Sequence, residues 1–397
     1  MKLPALWRDT LKKHLLCTSA IALGVAAAPA AAQEWNLDWG GYYNTHVGFA
    51  SVSGNGVPIG NDWDGMGILG DGEIIFTPSV TLDNGLTFGV NVQLEAQNSG
   101  NSQIDESYVT ISSDTIGRIE LGGENSAGYK SMVGAPGVGS FAIMSASVSG
   151  FAPIAHAFRQ AAGSPWTEVA GNNDVQRVSY FTPSFNGLTV GVSYAPSTAS
   201  NASNVGPFDR NTTTNVTDVF DIGVRYSQSF GSTDVTLGAR WGTGAAADFN
   251  ATTVAGVDGI LGSADDVVAL APNLGSDPEA WGLGAQVGFG AFTVGGHYAE
   301  NDNGAVGGAG DQEGWSLGAT YDLDGPWSVG LTGFMGTIEA GVNDTEYNAY
   351  KLAGSRELGA GVSWDIWAVY AENQNIGGVL NNDIDATIVG TSINLSF

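Results

Sequence analysis

The stretch LTFGVNVQLEA, residues 86–96, decides the fold class because its apolar and polar side chains alternate one by one. Alternate side chains of a β-strand point to opposite faces of the sheet. The stretch therefore predicts a strand with one apolar face and one polar face. The apolar set consists of Leu86, Phe88, Val90, Val92 and Leu94.

The same alternation recurs along the chain, and its interruptions are, in turn, short polar turns and long stretches rich in Gly, Asn, Asp and Ser. No helical period recurs in the same way. An even number of antiparallel strands with short turns at one end and long loops at the other is typical of a transmembrane β-barrel. The pattern predicts an all-β chain of about 16 strands, at residues 35–50, 72–82, 86–96, 104–112, 116–123, 174–183, 187–195, 218–229, 233–241, 279–289, 291–299, 312–322, 327–338, 354–364, 366–372 and 384–397.

The physics of a bilayer agrees with this pattern. A sheet crosses lipid only when it closes on itself, because unpaired backbone polar groups are costly there. The apolar set of alternating side chains, here called the apolar parity, would then face lipid. The polar set, the polar parity, would face a water-filled interior. Aromatic residues on the apolar parity, such as Phe49, Trp241, Phe289 and Trp315, lie near predicted strand ends, where an interfacial girdle is expected. An exported soluble β-sandwich is the alternative.

Composition excludes several classes of protein. The 397 residues include 40 acidic and only 13 basic side chains, and the resulting net charge of −27 excludes a nucleic-acid binder. Charged residues make up 13% of the chain, which is low for a soluble domain, and the 59 glycines are about twice the usual share. A hydrophobic content of 43% excludes disorder caused by low hydrophobicity.

Residues 1–32 have the three parts of a secretory signal peptide. Four basic residues lie within residues 1–14, an apolar run covers residues 15–28, and Ala30-Ala31-Ala32 fits the cleavage rule. The alternative, a membrane anchor, needs an apolar run of roughly 20 residues. We expect export, loss of Cys17 with the signal, and a cysteine-free barrel domain at residues 33–397.

The C-terminus carries a separate signal, since Ile393, Leu395 and Phe397 alternate with polar residues and the chain ends on an aromatic carboxyl terminus. Here, and in the stretches at 82–96, 105–123 and 174–196, the sequence resembles the general porins of Gram-negative outer membranes. The resemblance implies export through the periplasm to the outer membrane, contact with lipid and lipopolysaccharide, and a homotrimer. It also implies that the barrel-assembly machinery recognises the last strand, which ends at Phe397.

A porin works through the charges in its lumen, so inward-facing charged residues are the candidate site. On the predicted parity, these are Arg118, Glu120, Arg177, Asp221, Arg225, Asp234 and Arg240, with Glu73, Glu95 and Glu106 as further acidic candidates. Salt-bridged networks that touch no solute are the alternative role for them.

The longest loop, at residues 124–173, follows the fifth predicted strand. In the resembled family a loop at this position folds into the barrel and narrows it, so the resemblance implies an inward-folded third loop here. Its charged residues include Lys130, Arg159 and Glu168, which we add to the pore-lining and constriction candidates. Repeated Gly and Pro argue against a spanning helix in this stretch.

Acidic residues concentrate in the long loops, above all at residues 242–278. Asp258, Asp265 and Asp266 form a candidate calcium site, because hard divalent cations prefer carboxylate oxygens, although the spacing differs from an EF-hand. A solvated acidic loop is the alternative. Either arrangement would raise the cation concentration near the mouth, so we expect a mild cation preference.

Signals for enzymatic chemistry are weak. Gly65–Gly70 matches the dinucleotide-binding pattern, but no helix follows it, so the pattern indicates turn chemistry. No two histidines have the spacing of metal ligands. We therefore predict a channel without enzyme activity that passes ions and small hydrophilic solutes down their gradients. The alternatives are a substrate-selective barrel channel and a plugged barrel enzyme or adhesin.

Overall fold

The computed structural model describes residues 34–97, 103–144, 146–155, 161–199, 215–254 and 267–397. Trp35–Phe397 form one compact unit. Among the described residues, no helix is long and apolar enough to cross a membrane. The strands are β1 (Trp39–Ser53), β2 (Gly65–Phe76), β3 (Ser79–Thr81), β4 (Thr87–Glu95), β5 (Ile104–Ser113), β6 (Gly117–Gly123), β7 (Gln176–Phe181), β8 (Leu188–Ser197), β9 (Thr217–Phe230), β10 (Thr233–Ala245), β11 (Phe249–Val254), β12 (Val267–Pro272), β13 (Glu279–Phe289), β14 (Phe292–Asp302), β15 (Gln312–Asp322), β16 (Trp327–Ile338), β17 (Thr345–Gly359), β18 (Val362–Gln374) and β19 (Ile384–Ser396), and the α-helices are α1 (Ala127–Ser131) and α2 (Ala146–Ser149).

The sheet closes because its first and last strands pair with each other. β1 runs antiparallel to β19, from Tyr42 opposite Ser396 to Ser53 opposite Asp385. The remaining barrel strands pair with their neighbours in sequence, while β11 and β12 form a separate hairpin between β10 and β13. β2 and β3 both pair with β4 and count as one wall strand interrupted at Thr77 and Pro78. The predicted antiparallel barrel of 16 strands is therefore confirmed.

The two faces of the wall differ as the alternation predicts. On the neighbouring strands β15, β16 and β17, Leu317, Leu331 and Leu352 are 63%, 59% and 61% exposed. Their sequence neighbours Thr332 and Lys351 are buried on the opposite face. The exposed apolar parity is the outer face, and the polar parity is the inner face.

The glycine-rich stretch Gly65–Gly70 belongs to β2, so the prediction of a loop before the second strand is wrong. Glycine hides the alternation here, because Met66 and Ile68 are exposed while Gly67 lies against Phe151. A side chain at Gly67 would collide with that ring, since its Cβ would lie 2.9 Å from Phe151 Cε1.

The boundaries of the strand before β18 are also wrong in the sequence prediction. Residues 339–353 were expected to form a loop, and residues 354–364 a strand, but β17 runs from Thr345 to Gly359. The inner face of β17 carries Tyr347, Ala349 and Ala353, which are buried and apolar. A strand with apolar residues on both faces shows no alternation, so its pattern is lost.

The long stretch 242–278 contains the hairpin β11–β12, which sequence reasoning took as loop. The proposed calcium ligands Asp258, Asp265 and Asp266 lie outside the described residues. The calcium site stays a prediction. The predicted signal peptide, residues 1–32, also lies outside them.

Candidate functional site

The described residues between 124 and 175, here called the internal segment, contact the inner face of many strands of the wall. The Ala127 N–H donates to Ser193 Oγ on β8, at 3.1 Å. Gln286 on β13 and Thr332 on β16 donate to segment carbonyl oxygens, each at 2.9 Å. A segment can contact the same face of so many strands of a closed barrel only if it lies inside the barrel.

A track of wall glycines lies under the backbone of the internal segment. Added Cβ atoms would lie 2.4 Å from Ala127 O at Gly223, 2.6 Å from Ser131 O at Gly238 and 1.8 Å from Val133 O at Gly284. Only glycine permits such close backbone approach. Part of the high glycine content is therefore explained by a wall that holds a second layer. Similar contacts occur at Gly314, Gly318 and Gly336.

One side of the interior is an apolar core shared by the internal segment and the wall. Phe141 stacks on Trp367 of β18 with ring centroids 4.1 Å apart, and Phe151 and His46 contact the same pair. Small buried residues of β17 to β19 complete the packing. Trp367 breaks the alternation of its strand because it points inward to this core.

Three of the predicted site residues meet at the beginning of the internal segment. Glu120 forms ion pairs with Arg118, at 2.8 Å, and with Lys130, at 2.7 Å. Lys130 also pairs with buried Glu124. Burial, together with the neighbouring Glu120 carboxylate, raises the pKa of Glu124 to about 8. The pKa of Lys130 is raised above its usual value despite burial, because two carboxylates face its ammonium group.

A second group of predicted residues lies beneath the returning end of the internal segment. Asp221 and Arg240 form a buried ion pair at 2.9 Å, and Arg240 also donates to the Thr167 carbonyl oxygen. Arg177 donates to Asn172, and Glu168 accepts the Ser126 N–H at 2.9 Å. Their burial assigns these groups to anchoring the segment. Direct contact of these groups with solutes stays a prediction.

The remaining candidates are dispersed. Arg225 donates to the Met132 carbonyl oxygen at 3.3 Å, and therefore reaches the internal segment. Asp234 is exposed at the start of β10, where it accepts a hydrogen bond from Ser229 Oγ at 2.5 Å. Arg159 lies outside the described residues. The structure thus brings several of the predicted charges into two clusters, and Arg225 and Asp234 belong to neither.

Three acidic side chains form a row on the inner wall, here called the acidic row: Glu73, Glu95 and Asp105. Glu73 and Glu95 lie directly opposite each other on β2 and β4, and one carboxylate oxygen of each residue lies within 4.8 Å of the others. Tyr42 donates to Glu73 at 3.1 Å. Neither Glu73 nor Glu95 forms an ion pair within the described part of the chain. Sequence reasoning found both glutamates but missed Asp105.

Sequence reasoning also missed two charged residues of β17 and β18, Lys351 and Asp365. Both are buried against the internal segment. Lys351 lies between the outward-facing Tyr350 and Leu352. Once the bounds of β17 are known, the alternation along the strand therefore predicts that the Lys351 side chain points inward. The predicted loop at residues 339–353 hid that signal.

We expect the stability of the folded protein to fall as pH rises from 6 to 9. Burial raises the pKa values of Glu124 and Asp174 to about 8 each, well above the ordinary carboxyl value. The folded state therefore binds more protons than the unfolded state up to that pH, and this stabilisation is lost as pH rises through 8. For protein in detergent micelles, the melting temperature at pH 9 should be a few degrees lower than at pH 6.

The variant Glu124→Gln/Asp174→Asn provides the control for this pH dependence. It keeps the shape of both side chains and removes the titration, so its melting temperature should change less over the same range. An equal drop in the variant would contradict the assignment.

Comparisons with known proteins agree with this geometry. A family model described as Gram-negative porin matches residues 18–378. The chain belongs to the Gram-negative porin family. The comparison with curated proteins found no match to this porin.

Solved structures share the fold of this porin. An anion-selective porin from Comamonas acidovorans is 18% identical with a TM-score of 0.60, and the match covers 92% of this chain and 100% of that one. A loop-deletion mutant of OmpT, an outer membrane protein of Vibrio cholerae, is 12% identical with a TM-score of 0.60, covering 91% and 99%. The outer membrane channel DcaP of Acinetobacter baumannii is 10% identical with a TM-score of 0.58, covering 91% and 97%. At these identities the likeness supports the fold alone, and family and fold together point to the outer membrane.

Proposed function

We propose that this porin is a non-enzymatic passive channel that lets ions and small hydrophilic solutes diffuse across the outer membrane, with a mild preference for cations. The observation that carries the proposal is the acidic row, which lies on the inner face of a closed barrel. Glu73 and Glu95 are partly exposed and have no basic side chain at ion-pair distance in the described part of the chain, so their carboxylates attract cations to the path beside them; Asp105 lies next to both.

Exposure supports a water path on this side of the interior. The inward side chains of β4, Asn91, Gln93 and Glu95, are partly exposed. Inward residues of β16 and β17, such as Thr332 and Lys351, are buried under the internal segment. The open cross-section therefore lies off-centre, beside β2 to β4, and the acidic row borders it.

The reversal potential across a salt gradient tests this preference. Wild-type channels should favour cations, and Glu73→Gln/Glu95→Gln should reduce that preference at low salt, where screening is weak. Asp324→Asn is the matched control, because Asp324 is exposed in a short turn away from the row. The Comamonas porin is described as anion-selective. The same preference here, or an unchanged preference in the double variant, would refute the proposed role of the acidic row.

We further propose that this porin is exported by the signal at residues 1–32, assembles through the barrel-assembly machinery from its strand ending at Phe397, and forms a homotrimer in contact with lipopolysaccharide. One Vibrio cholerae OmpT structure is described as a trimer form. That likeness, at 12% identity, supports an oligomer as a plausible state.

A further inference from the structure

We propose that Lys351 and Asp365 are positioning residues that clamp the turn Val138–Phe141 of the internal segment to β17 and β18, and so hold the water path open. This inference rests on the proposed channel function. The clamp lies on β17 and β18, which are separated from the acidic-row strand β2 by β19 and β1.

Lys351 binds the two ends of this turn. Its side chain lies on the inner face of β17 and the residue is only 5% exposed. The ammonium group donates to the Val138 carbonyl oxygen at 2.9 Å and to the Phe141 carbonyl oxygen at 2.7 Å. No carboxylate lies within ion-pair distance of Lys351 in the described ranges, so these carbonyl oxygens are the groups that receive its hydrogen bonds.

Asp365 binds the middle of the same turn from the next strand. It is fully buried, and its Oδ2 accepts the Ser140 N–H at 2.9 Å and the Ser140 hydroxyl at 3.3 Å. Asn394 of β19 donates to the same oxygen at 2.7 Å and orients it. The turn is thus held by a cation at its carbonyl groups and by an anion at its amide.

Gly139 fits this arrangement. Its φ is +76°, a conformation that favours glycine, and an added Cβ would lie 2.8 Å from Asp365 Oδ2. The turn can therefore sit directly on the carboxylate. It places Phe141 against Trp367 and keeps that ring in the apolar core, away from the acidic row.

The charged groups at this turn restrain it more strongly than the anchor points on the neighbouring strands β15 and β16. Elsewhere on the same wall, neutral hydroxyl groups hold the internal segment, as Thr332 does at Pro136 O and Ser316 does at the Ala135 N–H. Burying a charge is costly, but hydrogen bonds with a charged partner are stronger than neutral ones. A strong restraint at one turn is what a segment bordering a permeation path requires, because a released turn would swing into that path.

Single-channel recording of Lys351→Met and Asp365→Asn tests the clamp. We expect the open-state conductance to stay near the wild-type value and the frequency of transient closures to rise at least tenfold. Thr332→Val is the matched control, since it removes a neutral hydrogen bond to the same segment, and it should lower the melting temperature without adding closures. Closures at the wild-type frequency in both clamp variants would overturn the proposal.

A second measurement is independent of channel activity. In an Ile143→Cys background, a thiol two residues beyond the clamped turn is buried and should react slowly with a water-soluble maleimide. Adding Lys351→Met should raise the labelling rate at least tenfold. If the wild-type protein conducts no current, the channel proposal fails, but the labelling rate of the Ile143→Cys thiol still tests whether Lys351 holds the turn. An unchanged rate would overturn the clamp alone.

Discussion

Deleting residues 135–164 is expected to raise the single-channel conductance several-fold. The deletion can be bridged by a short glycine linker, because an added Cβ at Gly134 would lie 3.0 Å from Pro165 Cγ. It removes Phe141 and Phe151, which fill the interior beside β16 to β19, but leaves α1 and the Asp221–Arg240 ion pair. A barrel of this strand number encloses an aqueous channel unless something fills it.

The deletion also exposes the apolar inner face of β17 and β18 to water, so we expect a lower melting temperature together with the larger conductance. Removing residues 250–271 is the matched control. That stretch includes most of the hairpin β11–β12, which lies outside the barrel sheet, and its loss should leave the conductance unchanged. An unchanged conductance after the deletion of 135–164 would mean that the internal segment does not obstruct the path.

Leu331→Arg is expected to prevent stable insertion into lipid. Leu331 lies in the middle of β16 on the exposed apolar face, and its neighbours on that face, Leu317 and Leu352, are apolar too. An arginine at the lipid face near the bilayer midplane costs about 2–4 kcal/mol. Reversible unfolding from liposomes measures this loss directly.

Leu274→Arg provides the comparison for this prediction. Leu274 is 80% exposed in the short connection between β12 and β13, so the same change in chemistry should have little effect on insertion. Equal stability of the two variants in liposomes would place Leu331 in water rather than lipid, and would contradict the assignment of the outer face.

The fold was predictable because one face of most strands meets lipid and the other meets polar groups. This environment imposes a period of two on residues such as those at 86–96, and the strand count follows from the turns. The pattern failed where the inner face is apolar. Tyr347 and Trp367 point inward because the internal segment packs on them, and that partner is distant in sequence.

The candidate site was predictable in part for the same reason. The alternation along the strands predicted that Asp221 and Arg240 share the inner face of the wall. Only the structure reveals that the internal segment buries both. Single-strand patterns carry no information about what covers a face. Lys351 and Asp365 were missed because the ends of their strands were misplaced, so their parity was never assigned.

The central claim is that this chain forms a closed barrel with a continuous water path past the internal segment. The most direct test is to reconstitute the purified, heat-denaturable protein at low density in a planar lipid bilayer and record the current. We predict discrete, stable conductance steps of uniform size that vanish when the protein is denatured beforehand. A bilayer that stays silent, although the folded barrel is shown to be inserted, would contradict the claim.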